Sequence, residues 1–265
     1  MRLVVLLSVL CAVACAHTGS AGPGFPTRGR WIDMSHTYDA STIYWPTSDP
    51  FELEVVSHGY TDQGFFYAAN AFRTAEHGGT HLDAPIHFAE GKRAVDELPI
   101  DQLIGPAVVV DVSAQAAQNA DYQVSVTDLQ AWEAEHGRIP DGAIVLLHTG
   151  FGKRWPDAAS YLGTAERGAD ALAKLHFPGL HAEAARWLTR ERAPGALGLD
   201  TASIDRGQTT KFESHVELFL HDVPAIENVA NLHLLPPTGA WIVALPMKIG
   251  DGSGAPVRVA AWLPE

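Results

Sequence analysis

The sequence predicts a single α/β domain with a mixed β-sheet flanked by helices. Two patterns point to it. Short apolar runs recur at residues 107–112, 143–148, 196–200 and 241–246. Turn residues adjoin each run, and several are rich in valine and isoleucine, as buried strands are. Between them lie segments whose apolar side chains repeat at helical spacing. Alternating strands and helices belong to α/β architecture, and no internal repeat or long low-complexity stretch interrupts them.

In chain order, the first sixteen residues stand apart. Arg2 precedes an apolar run from Leu3 to Leu10, and the stretch closes on small residues. This is the pattern of a secretory signal peptide, with Ala14-Cys15-Ala16 as its cleavage site. The run is too short to span a bilayer. Export is therefore expected, to the periplasm or beyond, with lipid anchoring through Cys15 as the alternative fate of the leader. Cys11 and Cys15 are the chain's two cysteines. A mature chain cleaved after Ala16 has no thiol, so any metal must be held by nitrogen and oxygen. Residues 17–30, with glycines and prolines, read as a flexible tether, and the domain is placed at 31–265.

Residues 31–34 and 51–56 have strand character around a turn-rich middle. Trp45 and the Phe65-Phe66-Tyr67 run are candidates to line an aromatic substrate pocket, although core packing is the commoner role. Residues 90–93 form a charged turn. Residues 125–136 place Val126, Leu129 and Trp132 at helical spacing, with Ser125 or Thr127 as cap and Gly137 as stop. Residues 149–180 are irregular; their Lys153 and Arg154 fit a solvated surface better than an anion site. Residues 181–190 and 211–222 read as helices, the second with Phe212, Val216, Phe219 and Leu220 as its apolar stripe. Pro224-Ala-Ile, ahead of Glu227, has strand character. The glycine-rich stretch 250–254 has no lysine after it, unlike a phosphate loop, and reads as a turn into residues 257–263.

Hydrophobic residues make up 46% of the chain and charged ones 18%, an ordinary globular balance. Eighteen basic and thirty-one acidic residues give a net charge of −13. Nucleic acid and anionic membrane surfaces are disfavoured as partners.

The chemistry concentrates in His77-Gly-Gly-Thr-His-Leu-Asp-Ala-Pro-Ile-His87 and the adjoining Phe88. In an extended chain His81, Asp83, Pro85 and His87 share one face, and Leu82, Ala84, Ile86 and Phe88 share the other. Pro85 confines such a segment to an edge or irregular strand. Gly78-Gly79 allows the backbone to bend so that His77 folds back beside His81 and Asp83. Imidazoles and a carboxylate on one face suit zinc and other first-row divalent ions.

The pattern His-x-Gly-Thr-His-x-Asp-x-Pro-x-His resembles the signature of the putative cyclase family, which includes kynurenine formamidases and isatin hydrolases. His77, Gly79, Thr80, His81, Asp83, Pro85 and His87 occupy its fixed positions. The stretches 31–36, 44–46 and 250–258 resemble the family's opening and closing segments. The resemblance implies a swivelling β/β/α fold, and it implies two further metal ligands, His215 and Glu227. His77, His81 and Asp83 would hold one ion and His215 and Glu227 a second, bridged by Asp83 or water, with zinc or manganese as the metal; a single ion with a weak second site is the alternative. His87 would be the catalytic acid/base and not a ligand, which suits an ordinary histidine pKa near 6.5. Thr80 would support a ligand, a water or the substrate.

The reaction so implied is hydrolysis of a carbon–nitrogen bond in a small aryl amide, attacked by hydroxide from a metal-bound water. The candidate substrates are an isatin-type cyclic amide and N-formylkynurenine. Residues 175–180 and 200–205 resemble the isatin-hydrolase-like members and tilt the choice to the cyclic amide. A lactone hydrolase and a non-catalytic exported small-molecule carrier are the alternatives. The family also implies a homodimer, although nothing in the sequence marks an interface.

Overall fold

A computed structural model describes residues 28–265. The leader and most of the tether lie outside the described residues. The strands in the first half are β1 (Gly29–Asp33), β2 (Glu52–Tyr60), β3 (Phe66–Arg73), β4 (His81–Asp83), β5 (Ile104–Asp111), β6 (Gln123–Val124) and β7 (Ile144–His148). β8 (Gly179–Leu180), β9 (Ala196–Leu199), β10 (Ala225–Glu227), β11 (Trp241–Pro246) and β12 (Gly254–Pro264) follow. The helices are α1 (Ser113–Gln118), α2 (Val126–His136), α3 (Ala158–Leu162), α4 (Ala182–Glu191) and α5 (Glu213–Leu220).

The main sheet runs β12-β11-β5-β7-β9-β10-β4, and β4 pairs back onto β12 to close a barrel-like ring. β1 pairs with the end of β12 beyond that closure. Pairing is parallel along β5-β7-β9-β10 and antiparallel elsewhere, so the sheet is mixed as predicted. Side-chain alternation divides its two faces. Ala107, Val109, Ile144, Leu146, Ile226 and Ala255 fill the interior. Val108, Val110, Val145, Leu147 and Leu197 point outward to a second core built on Leu129, Leu188, Leu218 and Phe219. A strand buried on both faces reads as a continuous apolar run, which is why these strands were legible.

Helix α2 begins at a reciprocal cap. Ser125 Oγ accepts from the Asp128 amide, and the Asp128 carboxylate accepts from the Ser125 amide and hydroxyl. In the irregular segment the buried Asp200 carboxylate accepts from the amides of Thr149, Gly150 and Gly152, tying the loop to the end of β9.

Three expectations change. The domain begins inside the stretch read as tether, since Gly29 and Arg30 pair with Pro264 and Leu263. The motif strand ends at Asp83, and Pro85–His87 turn into a 3₁₀ helix; Phe88 thereby leaves the barrel face and joins the outer core. Phe66 and Tyr67 belong to β3, which pairs with β2 in a separate two-stranded ribbon.

Leu82 is fully buried in the barrel on the strand that carries His81 and Asp83. Leu82→Ala is expected to cost about 2–5 kcal/mol, measured by urea unfolding, from lost burial and the cavity left behind.

Candidate metal centre

With Leu82 inside the barrel, alternation turns His81 and Asp83 outward. Antiparallel pairing with β10 sets Glu227 opposite His81 and Ala225 opposite Asp83. Gly79 takes a left-handed φ of 59°, and Gly78 leaves room for the Tyr44 ring, which a side chain there would strike. The chain doubles back at this bend, and His77 Nδ1 comes within 2.6 Å of Asp83 Oδ1. Gly254 makes the matching space, because a Cβ there would lie 2.5 Å from the His77 ring. Helix α5 brings in His215, whose Nε2 lies 3.2 Å from Glu227 and 3.4 Å from Asp83. His81 Nε2 lies 3.1 Å from Asp83 and 3.4 Å from Glu227.

The remaining nitrogens fix the tautomers. His81 Nδ1 is 3.0 Å from the Gly79 carbonyl oxygen, an acceptor only, so that nitrogen carries the proton. His215 Nδ1 donates in the same way to Asp205 at 2.6 Å. In the neutral rings both Nε2 lone pairs therefore face the Asp83 and Glu227 carboxylates. Four Lewis bases converge in a buried space that no lysine or arginine among the described residues lines. Only a cation or protons satisfy such an arrangement, and the donor set fits a divalent ion. Without a cation the site gathers protons. Burial alone would lower the pKa of His81, yet Asp83 and Glu227 carry it up to about 9. His215 is raised against burial by Asp205, Asp83 and Glu227. Asp83, opposed by burial, is held well below its usual range by the surrounding histidines. Burial and the adjacent Asp83 charge push Glu227 up.

Beside these donors lies a cavity of about 230 Å³ walled by Ile43, Trp45, Phe88 and Phe212, with Ser203 among its polar edges.

A sequence profile described as Putative cyclase matches residues 32–206. The chain belongs to the putative cyclase family. It is 34% identical to the isatin hydrolase of Roseibium aggregatum, over 81% of each chain. It is 30% identical to the kynurenine formamidase of Bacillus cereus, covering 86% of this chain and 95% of that one. The solved isatin hydrolase A from Ralstonia solanacearum superposes with a TM-score of 0.79 at 38% identity, covering 88% of this chain and 92% of that one.

The profile match ends before His215 and Glu227, so their place in this cyclase-family site rests on the structure. All five proposed ligands meet there, and Asp83 is shared by two groups of donors. Within 4.8 Å of one another stand His77, Asp83 and His87 on one side, and His81, Asp83 and Glu227 on the other. Asp83 Oδ1 lies 2.6 Å from His77 and 3.1 Å from His81, and His215 lies 3.2 Å from Glu227, while His81 also reaches Glu227 at 3.4 Å from across the β4–β10 ladder. His87 stacks on His77 with ring centroids 3.8 Å apart. Burial lowers its pKa to about 4 against the pull of Asp83, so it is neutral at pH 7 and not the ordinary imidazole expected.

Trp45 lines the cavity as expected. Phe65 does not: it sits 57% exposed at the turn of the β2–β3 ribbon. Thr80 does not line the cavity either. It is fully buried, its hydroxyl donating to the Asn228 carbonyl and accepting from the His36 amide, which clamps the bend between His77 and His81. Sequence reasoning gave Asp205, Ser253, Phe88 and Phe212 no place in the site. Ser253 accepts from His77 Nε2 at 2.8 Å and donates to Glu76. Asp205 lies in a loop without periodicity, ten residues before His215, where only coordinates could reveal its role.

Asp205→Asn is expected to weaken metal binding about 10–100-fold, the usual effect of losing a carboxylate behind a ligand histidine, as read by chelator competition. Metal entry must also displace the His81 proton. As the pH falls from 9, apparent affinity should fall about tenfold per pH unit for each displaced proton; a flat profile from pH 6 to 9 would contradict this site.

Proposed function

We propose that this protein is a metal-dependent hydrolase that opens the carbon–nitrogen bond of a small cyclic aryl amide of the isatin type. The observation that carries the proposal is the convergence of two aimed imidazoles and two buried carboxylates beside an aromatic cavity. At about 230 Å³ that cavity is below the roughly 300–1,000 Å³ of drug-sized sites. N-formylkynurenine carries an α-amino and a carboxylate charge, and both need partners when buried. Among the described residues no lysine or arginine lines this cavity, and its only carboxylates are Asp83 and Glu227. An uncharged bicyclic amide makes no such demand. The similarity to isatin hydrolases supports the same choice.

His81, Asp83, His215 and Glu227, with His77 beyond Asp83, would hold the metal; zinc and manganese both suit these donors. A bound divalent ion would polarise the amide carbonyl and supply an ionised water. The chain's own residues do the rest. Trp45, Phe88 and Phe212 hold the ring plane and exclude bulk water. Asp205 and the Gly79 carbonyl keep the two imidazoles aimed. His87, neutral at pH 7, accepts the proton released as the water oxygen bonds to the carbonyl carbon. It returns that proton to the ring nitrogen as the carbon–nitrogen bond breaks. The product is an open-chain aryl amine bearing a carboxylate.

The proposal includes export of the protein, supported by Arg2, the apolar run after it and Ala14-Cys15-Ala16. Cys15 offers lipid anchoring as the other outcome.

Purified protein is expected to hydrolyse isatin faster than N-formylkynurenine, with turnover abolished by chelator and restored by zinc or manganese. Ligand binding without turnover across a panel of amides and lactones would return the protein to the carrier class. His87→Ala is expected to keep its metal, by elemental analysis, and to lose about 10²–10⁴-fold in kcat. Near-normal kcat in that variant would remove His87 from the chemistry.

A further inference from the structure

The glycine-rich turn at residues 250–254 has no lysine to bind a phosphate, yet it lies against the metal site. The Ser253 carbonyl accepts from the Ala84 amide, and Gly254 pairs with Asp83 in the β4–β12 ladder, which fixes the turn beside the ligand strand. Ser253 thereby stands between two side chains, His77 and Glu76. Its hydroxyl lies 2.8 Å from His77 Nε2 and 2.5 Å from Glu76 Oε2, and its amide donates to the same Glu76 oxygen at 3.1 Å. The flanking glycines leave room for both partners. A Cβ on Gly252 would come within 3.0 Å of Glu76 Oε1, and one on Gly254 within 2.5 Å of the His77 ring. Glu76 itself is 3.9 Å from His77 Nε2, beyond hydrogen-bond reach, so its influence on the ring passes through the hydroxyl.

Protons along this chain of groups can be placed in one way. A carboxylate only accepts, and a serine hydroxyl has one proton to give. At 2.5 Å from Glu76 that proton belongs to the Ser253–Glu76 bond, so toward His77 the hydroxyl accepts. His77 Nε2 must then carry a proton. Nδ1, 2.6 Å from Asp83 Oδ1, is left as the nitrogen that meets a cation or a second proton. His81 and His215 have the opposite polarity, with protons fixed on Nδ1 and Nε2 turned to the carboxylates. The Gly79 carbonyl and Asp205 are the acceptors behind those two rings. Glu76, through Ser253, is the acceptor behind the third.

We propose that Glu76 is a positioning residue of the metal site: through the Ser253 hydroxyl it keeps the His77 proton on Nε2 and so turns a bare Nδ1 toward Asp83. Which nitrogen of a histidine is free to bind is set by the bond the other one makes. His87 stacks on the same His77 ring, so this bond also holds the plane against which the acid/base group rests. The Glu76 side chain is 33% exposed, and water reaches its charge without reaching the ligands.

The assignment rests on the metal-dependent reading of the site, and one experiment separates the two. Long-range proton–nitrogen NMR of the zinc-loaded full chain, labelled at its histidine nitrogens, shows which ring nitrogen carries each proton. His77 is expected with its proton on Nε2 and zinc on Nδ1, and His81 and His215 with the reverse. In Glu76→Gln the carboxamide can donate to Ser253, whose hydroxyl then turns its proton to His77 Nε2. The His77 nitrogen shifts should move toward the Nδ1–H form while those of His81 and His215 hold. Zinc affinity, by chelator competition, should fall about 10–100-fold. Ser253→Ala should lose as much, and the double variant no more than the worse single one, because the two residues act as one unit. A chain that takes up no zinc would overturn the metal-dependent reading and this assignment with it. Zinc uptake with the His77 proton on Nδ1 in the unaltered protein would overturn the assignment alone, even if both variants misfolded. So would unchanged zinc affinity or unchanged His77 shifts in Glu76→Gln, or losses that add in the double variant.

Discussion

Two buried carboxylates with nothing of opposite fixed charge beside them are the constraint on which the rest of this structure depends. Asp83 and Glu227 are almost completely inaccessible. Taking one carboxylate out of water costs several kcal/mol even after relaxation, and two together repel. No arginine or lysine among the described residues lines their cavity. What surrounds them is imidazole, two rings of which are held by outside acceptors so that their bare nitrogens point inward. Such a cluster is tolerable only around a cation or with protons in its place, which makes it an argument about chemistry and not about packing.

The barrel supplies the rigidity that this arrangement needs. A one-residue slip in β4 would send Leu82 outward and bury His81 and Asp83 among aliphatic side chains. Closure through β10 on one side and β12 on the other pins that register. The two neighbours also contribute to the site, since β10 brings Glu227 and β12 begins at Gly254, whose missing side chain leaves the place that His77 fills. Support then comes from groups behind the ligands. Thr80 ties the bend to the Asn228 carbonyl, while Asn228 Nδ2 donates to the Gly79 carbonyl and its Oδ1 accepts from Tyr161.

How much of this the sequence revealed depends on how far each feature reaches along the chain. The alternation that separates Leu82 from His81 and Asp83 is local, and so is the bend at Gly78-Gly79; both were legible. The buried parallel strands announced themselves through apolar runs on two faces. The β3 strand was not legible, because a ribbon exposed on both sides has no apolar alternation to display. Phe65 was misplaced for the same reason, since an aromatic run has the same composition in a pocket wall and on an exposed arm. Thr80 and Asp205 act through partners 148 and 10 residues away, and neither contact has a periodic signature. The grouping of donors about Asp83 was hidden because it depends on which strand neighbours β4, a fact of topology and not of spacing.

The protons that stand in for a cation explain how the chain can fold before it acquires one. In the metal-free protein His81 keeps its proton up to about pH 9, whereas an unfolded chain releases it near 6.5. A folded-state pKa raised above the unfolded value adds stability, in full below about 6.5 and lost as the pH climbs through 9. His215 is shifted in the same direction. At neutral pH the cluster is therefore already charge-compensated, and a divalent ion enters by exchanging with bound protons, not by rescuing an unstable fold. His87 stands outside that exchange. Lowered to about 4 by burial against the pull of Asp83, it is neutral at pH 7. It is free to take up a proton during turnover and give it back.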